Sequence, residues 1–143
     1  MAIQFSYFQT RFKLPNSKKT ATWIERVVKT EKSRIDSLSY VFCSDRYLLG
    51  INQEYLGHDM LTDIITFDYS ESRKLLEGEI YISVPRVREN AKKLNVDFQS
   101  ELHRVIIHGV LHLLGYKDKT PADKSAMRKR EEKYLKASFL QGV

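Results

Sequence analysis

Apolar and polar residues alternate along several short segments of the chain, and the period of the alternation changes from one segment to the next. A period of two places apolar side chains on one face of a strand and predicts four strands. A period near 3.6 predicts five helices by the same argument. The predicted strands lie at residues 3–8, 38–43, 64–69 and 79–84, and the predicted helices at 17–29, after 44, from 85, at 98–114, and from 120 to about 137.

These segments follow one another without internal repeats, low-complexity tracts or a linker, so residues 1–143 are predicted to form a single domain. The alternation predicts an α+β (α/β-like) fold with a mixed four-stranded sheet packed against about five helices. The residues expected to face inward from three of the helices are Trp23, Val27, Val28, Leu48, Ile51, Tyr55, Leu56, Val87, Ala91 and Leu94. Trp23 is therefore interpreted as a core residue and not as a platform for stacking bases.

Composition narrows the class of protein further. The hydrophobic content of 42% is typical of globular proteins, no apolar run reaches the length of a membrane span, and the N-terminal residues lack the apolar core of a signal peptide. The single cysteine, Cys43, excludes an internal disulfide and is expected to be buried. We therefore expect a cytoplasmic protein. Its net charge of +6 favours an anionic partner such as a nucleic acid.

One short segment carries the candidate chemistry, and it reads HGVLHLLGYKD from His108 to Asp118. Because His108 and His112 are four residues apart, a helix would place both imidazoles on one face. Gly115 is a candidate helix end, after which the chain could fold back and offer the Asp118 carboxylate as a third ligand. Three protein ligands leave a coordination position open for water, as in catalytic metal sites.

The residue after the first histidine excludes one class of metalloenzyme. In HExxH peptidases this residue is the glutamate that acts as general base, whereas here it is Gly109. The remaining interpretation is hydrolysis in which the metal ion activates the water. A metallohydrolase of another substrate, such as a peptide or a small molecule, stays open, although Gly109 counts against the peptide.

The motif resembles the HGxLHLxGYDH signature of the YbeY family, and two upstream blocks are similar to that family as well. They are INQEYLGHDMLTDIITFDY at residues 51–69 and GEIYIS at residues 78–83. The resemblance implies a single-domain, metal-dependent endoribonuclease specific for single-stranded RNA. It further implies a role in 3' end maturation of small-subunit 16S rRNA and in ribosome quality control, with rRNA and the small ribosomal subunit as partners. Neither membrane binding nor DNA specificity is expected.

The chain departs from the family at the third metal ligand, where Asp118 stands in place of a histidine. A carboxylate is an accepted zinc ligand, so His108, His112 and Asp118 are still expected to hold one divalent ion and to act in catalysis through its bound water. Zinc is the expected ion. Because an anionic oxygen ligand suits them better, Mn²⁺ and Mg²⁺ are the alternatives.

A second departure lies two residues after Glu54, where many family members carry an arginine associated with RNA cleavage and this chain has Leu56. Arginine can clamp a phosphate, and leucine cannot. His58, Arg46 and Arg104 are substitutes by residue type alone. The alternative function is therefore a ribosome-assembly binding factor whose metal site is structural or vestigial.

Five further residues are assigned to the site through the resemblance. Arg86, Arg88 and Lys92 follow the GEIYIS strand, which the family places beside the cleft, and are expected to contact RNA phosphates. Asp63 could orient a ligand or a water, or it could cap a turn. Glu79 is expected to hydrogen-bond a metal-ligating histidine, an arrangement common in such sites.

Overall fold

The computed structural model describes residues 2–137, in which five helices surround a four-stranded sheet. The predicted α+β fold, with its mixed sheet and five helices, is thereby confirmed. The strands are β1 (Ile3–Phe8), β2 (Arg34–Cys43), β3 (Ile64–Asp68) and β4 (Leu75–Ser83). The helices are α1 (Ser17–Thr30), α2 (Asp45–Leu56), α3 (Val84–Leu94), α4 (Phe98–Leu113) and α5 (Pro121–Lys136).

The sheet has the strand order β1-β2-β4-β3. β1 pairs with β2 and β2 with β4 in parallel, whereas β3 runs antiparallel to β4 along the edge. The parallel pairs need crossover connections, and α1 supplies the first of them between β1 and β2. Ile64 at the start of β3 lies opposite Ile82 near the end of β4. This edge of the sheet supports the helix that carries the histidine pair.

Helix α4 lies at the centre of the main core, with ten of its sixteen residues buried. It packs on β3 and β4 and is flanked by α3 and α5. From Val105 onward, α4 is apolar on nearly all sides apart from His108 and His112, as a helix buried on most sides requires. Trp23 on α1 is 2% exposed and belongs to the same core, so its predicted packing role is confirmed.

A smaller apolar cluster occupies the opposite face of the sheet. It joins Cys43 and Ile65 of the strands to Leu48 and Ile51 of α2. Strand neighbours point to opposite faces, so Phe42 belongs to the main core while Cys43 belongs to this second cluster. The predicted burial of Cys43 is confirmed.

Several predicted details differ from the structure. β2 and β4 each begin four residues earlier than expected. Their first residues already pair in parallel, with Arg34 opposite Leu75, before the apolar alternation begins. Leu94 is 58% exposed at the C-terminal end of α3, and Tyr55 and Leu56 are 64% and 45% exposed in the last turn of α2. These three residues were predicted to face inward, and that prediction is wrong.

Helix starts follow the sequence signals more closely. The Ser44 side chain accepts a hydrogen bond from the backbone of Tyr47 and caps α2. Thr120 and Asp123 form a reciprocal capping box at the start of α5, as their spacing predicts. In the described range 2–137, every helix is too short or too polar to cross a membrane.

Candidate metal centre

Two imidazoles meet at the C-terminal end of α4. The residues are His108 and His112, and their Nε2 atoms lie 3.0 Å apart. The four-residue spacing puts them one turn apart on the same face of the helix. This face borders the cleft, while the other faces of α4 are packed in the core. The predicted convergence of the two rings is present in the structure.

A turn after α4 brings the third side chain back to the histidines. Gly115 has a φ of +108°, in the left-handed range that residues with a Cβ rarely adopt, and the backbone of Tyr116 donates to the carbonyl of Leu111. The chain then reverses, and Oδ2 of Asp118 lies 3.4 Å from Nε2 of His108 and 3.5 Å from Nε2 of His112. Sequence and structure therefore agree on the same three residues.

The size of this donor triangle fits a metal ion. In tetrahedral geometry, with bonds of about 2.0–2.1 Å, two ligand atoms lie about 3.3 Å apart. The three separations here, 3.0, 3.4 and 3.5 Å, bracket that value. Two imidazoles and a carboxylate form a donor set that zinc accepts, and it leaves coordination positions free.

The segment that carries Asp118 is anchored from outside the site. The hydroxyl of Tyr116 donates to Glu31 at the end of α1, at 2.8 Å. The other carboxylate oxygen of Glu31 accepts from Arg130 and Tyr134 of α5. Four polar groups from three parts of the chain thus hold the turn in place, which limits the conformations open to the third ligand.

Burial lowers the pKa of His112, and the adjacent His108 ring lowers it further, while Asp118 acts in the opposite direction. A neutral imidazole is the form that binds a metal ion. The environment of His112 therefore favours the form that the proposed chemistry requires.

The residue that hydrogen-bonds a histidine of the pair is Glu131 of α5, and sequence reasoning missed it. Its Oε2 lies 2.5 Å from Nδ1 of His108. Glu131 belongs to a helix rich in charged residues, yet it is 5% exposed. Its spacing from the buried Met127 and Tyr134, at i, i+4 and i+7, was the available signal.

Glu79, predicted for that role, lies elsewhere. Its carboxylate accepts hydrogen bonds from the hydroxyls of Tyr69 and Tyr81, at 2.8 and 3.4 Å. Its neighbour Ile80 faces α4, so strand alternation directs Glu79 to the other face of the sheet. Glu79 was therefore predicted on the wrong face of the sheet. Because neighbouring strand residues point to opposite faces, a shift of one residue is enough to exchange the two faces.

Asp63 lies at the border of the site. Its Oδ2 accepts from Asn90 of α3 at 3.2 Å and lies 4.0 Å from Arg104 of α4. It also lines the cleft. Asp63 therefore has a structural partner and remains accessible from the cleft.

The three predicted phosphate-binding residues are not brought to the cleft. Arg86 forms an ion pair with Asp45 at 2.9 Å, and the Arg88 guanidinium lies over the ring of Phe98 at 4.2 Å. Lys92 is exposed in the last turn of α3. Within the described part of the chain, none of the three lines the cleft.

The cleft beside the donor triangle has a volume of about 600 Å³. Its wall opposite α4 comes from the end of α2 and the segment before β3, which contribute Leu56, His58, Met60 and Leu61. Among residues 2–137, those that line it include no lysine or arginine. Of the substitutes for the missing arginine, only His58 is in the cleft.

Fold and site together define a class: a single-domain α+β protein with two helical histidines and one carboxylate at an open cleft. A model of the family described as Endoribonuclease YbeY matches residues 4–138. This chain belongs to the YbeY family.

Relatives and a solved structure agree with this assignment. A relative from Amoebophilus asiaticus named Endoribonuclease YbeY is 50% identical over 128 residues, which are 90% of this chain and 87% of the relative. A relative of the same name from Flavobacterium psychrophilum is 48% identical over 134 residues and covers 94% of each chain. The solution structure of a Thermotoga maritima protein is similar with a TM-score of 0.66 and 29% identity, covering 93% of this chain and 87% of that one.

Proposed function

We propose that this protein is a metal-dependent endoribonuclease that hydrolyses phosphodiester bonds in single-stranded RNA. The observation that carries the proposal is the donor triangle of His108, His112 and Asp118, which borders an open cleft in a chain of the Endoribonuclease YbeY family. Maturation of the 3' end of small-subunit 16S rRNA, a part in ribosome quality control, and a cytoplasmic location extend the proposal through the family resemblance.

The chemistry divides between the ion and the protein. A bound divalent ion supplies a Lewis acid and lowers the pKa of a coordinated water. His108, His112 and Asp118 would hold that ion. No lysine or arginine lines the described cleft, so apart from the two histidines of the triangle, His58 is the basic side chain there that could contact a phosphate. Leu56, Met60 and Leu61 offer apolar surface to unstacked bases and limit water at that wall.

Zinc is the proposed ion, with Mn²⁺ and Mg²⁺ as the alternatives. Adjacent ligands of an octahedral Mg²⁺ lie about 2.9 Å apart, whereas those of a tetrahedral zinc lie about 3.3 Å apart. Two of the three separations in the triangle, 3.4 and 3.5 Å, are nearer the tetrahedral value. The Asp118 oxygen, on the other hand, is a donor that the harder ions accept well.

The test is the variant His112→Ala, assayed for bound metal and for cleavage of a single-stranded RNA. Removal of one of three ligands should abolish stoichiometric metal binding and reduce cleavage by at least about 100-fold. The exposed variant Lys19→Ala, purified in parallel, controls for contaminating nuclease. Normal cleavage by His112→Ala would assign the activity to another site or another protein and overturn the proposal.

The second candidate function is a ribosome-assembly binding factor with a structural or vestigial metal site. Leu56, 45% exposed at the cleft where the family usually has an arginine, is the observation in its favour. A binding factor of this kind should associate with small-subunit particles independently of metal and should show no turnover on purified RNA. Cleavage that is abolished by a chelator and restored by a single metal would eliminate it.

A further inference from the structure

A buried carboxylate links helix α5 to the metal centre. Glu131 is 5% exposed, and its Oε2 lies 2.5 Å from Nδ1 of His108. Burying a charged group is costly unless it is paired and hydrogen-bonded. Since Glu131 is buried directly against His108, we expect a further partner that offsets the cost of burying its carboxylate.

The partner of Glu131 is Arg104, one turn before His108 on α4. Nη1 of Arg104 lies 3.3 Å from Oε1 of Glu131. The same guanidinium binds Glu101 through two bonds of 2.9 and 2.8 Å and lies 4.0 Å from Asp63. These interactions engage Arg104 with three carboxylates. It therefore stabilises the acidic groups around the site and is not free to clamp a phosphate of RNA.

The hydrogen bond with Glu131 determines which ring nitrogen of His108 carries the proton and which one offers its lone pair to a metal ion. An ionised carboxylate can only accept, so the proton of His108 is on Nδ1 when Glu131 is bonded to it. Nε2 then presents its lone pair beside Nε2 of His112 and Oδ2 of Asp118, at 3.0 and 3.4 Å. A carboxylate behind a ligating histidine fixes the orientation of the ring and raises its basicity as a ligand.

We propose that Glu131 is the positioning residue for His108, and that Arg104 acts through it by holding the carboxylate in place. The inference deepens the proposed function, because it rests on His108 as a metal ligand. It concerns the affinity for the ion and the tautomer of one ring, both of which can be measured without RNA.

The first experiment measures zinc affinity by competition with a chromophoric chelator. Glu131→Ala should bind zinc about 10–100-fold more weakly than the wild type. Glu131→Gln keeps an oxygen that can accept from Nδ1 but loses the charge, so it should fall between the two. Glu132→Ala, the exposed neighbour on the same helix, is the matched control and should equal the wild type.

The second experiment tests whether Arg104 acts through Glu131. Arg104→Gln should weaken zinc binding by about tenfold in the wild-type background and have no further effect when combined with Glu131→Ala, because residues of one network are not additive. Equal and additive losses would show that Arg104 acts independently and would overturn that part of the proposal.

The third readout is the tautomer itself, from ¹⁵N chemical shifts of the His108 ring in the metal-free protein. The wild type and Glu131→Gln should have the proton on Nδ1, and Glu131→Ala should have a mixture of the two tautomers. A merely structural role for Glu131 would leave both the tautomer and the zinc affinity of a folded Glu131→Ala unchanged, and that result overturns the inference.

Failure of the proposed function is a separate outcome. A wild-type protein that binds zinc but leaves RNA intact contradicts the nuclease proposal and not the role of Glu131. A wild type that cleaves RNA, beside a folded Glu131→Ala with unchanged zinc affinity, contradicts only the role of Glu131.

Discussion

The three histidines of α4 have different environments although they share one helix. His108 and His112 border the cleft, whereas His103 is 1% exposed and its ring stacks on Trp23 with the centroids 5.2 Å apart. Burial lowers the pKa of His103 to about 4, and Asp97 partly opposes that shift. A histidine that is buried in its neutral form makes stability depend on pH.

Acidification should therefore destabilise the protein through His103. Its pKa is about 4 when folded and about 6.5 when unfolded, so the unfolded chain binds more protons between these values. The free energy of unfolding should fall by about 2 kcal/mol from pH ~7 to pH ~5 on account of this group. Urea unfolding with a chelator present, on the wild type and on His103→Phe, measures the difference.

The substitution keeps an aromatic ring beside Trp23 while removing the titrating group. If His103→Phe loses as much stability on acidification as the wild type, His103 does not contribute as described. The residual pH dependence in His103→Phe reports the remaining titratable groups.

At the scale of elements, the position of the site depends on how closely α4 approaches the sheet. A Cβ at Gly109 would lie 2.8 and 3.0 Å from side-chain atoms of Ile80 and 3.2 Å from Ile64. The position between the two histidines thus faces the sheet. A glutamate there would point into the core and away from the cleft, which gives a structural reason why the HExxH arrangement does not occur on this helix.

Gly109→Ala should accordingly destabilise the protein although alanine is the better helix former. The gain in helix propensity is about 1 kcal/mol, whereas overpacking costs about 1–3 kcal/mol. We expect a net loss of about 1 kcal/mol in urea unfolding, with weaker zinc binding as α4 shifts. Combination with Ile80→Val, which removes one of the crowding atoms, should cost less than the sum of the two single changes.

Gly50 provides the matched control on α2. A Cβ at that position would have no atom within 4 Å, and the residue is exposed. Gly50→Ala should therefore stabilise the protein by about 0.5–1 kcal/mol. Equal effects of the two substitutions would contradict the close approach of α4 to the sheet.

Three helices and one turn form or support the donor triangle of the candidate metal centre. α4 supplies two donors, the turn after it a third, α5 the carboxylate behind His108, and α1 the Glu31 anchor of that turn. An ion that binds the folded state alone should stabilise this arrangement as a unit.

Zinc should raise the melting temperature of the metal-free protein. At a free concentration 100 times the Kd, binding adds about 2.7 kcal/mol, or a shift of roughly 8 °C for a chain of this size. Asp118→Ala should show a smaller shift, and elemental analysis of both proteins as purified should give less metal in the variant. Full metal occupancy in Asp118→Ala would remove Asp118 from the ligand set.

The sequence by itself determined the class of fold, most element positions and the three residues of the donor triangle. These are local properties: apolar periods of 2 and 3.6, capping residues such as Ser44 and Thr120, and two histidines one helical turn apart. The role of Gly115 as a helix end could also be predicted, because a left-handed backbone conformation after a helix favours glycine. Each signal lies within a few residues of the structure that it specifies.

Only the tertiary structure decided what lies around the donor triangle. Glu131 is 23 residues from His108 in the chain, and its partnership with that ring requires α5 to pack on α4. Glu79 bonds to Tyr69 on the other face of the sheet, and Arg86 pairs with Asp45 of α2 and does not line the cleft. A ligand set close in sequence can be predicted from spacing, whereas its supporting partners depend on packing between distant elements.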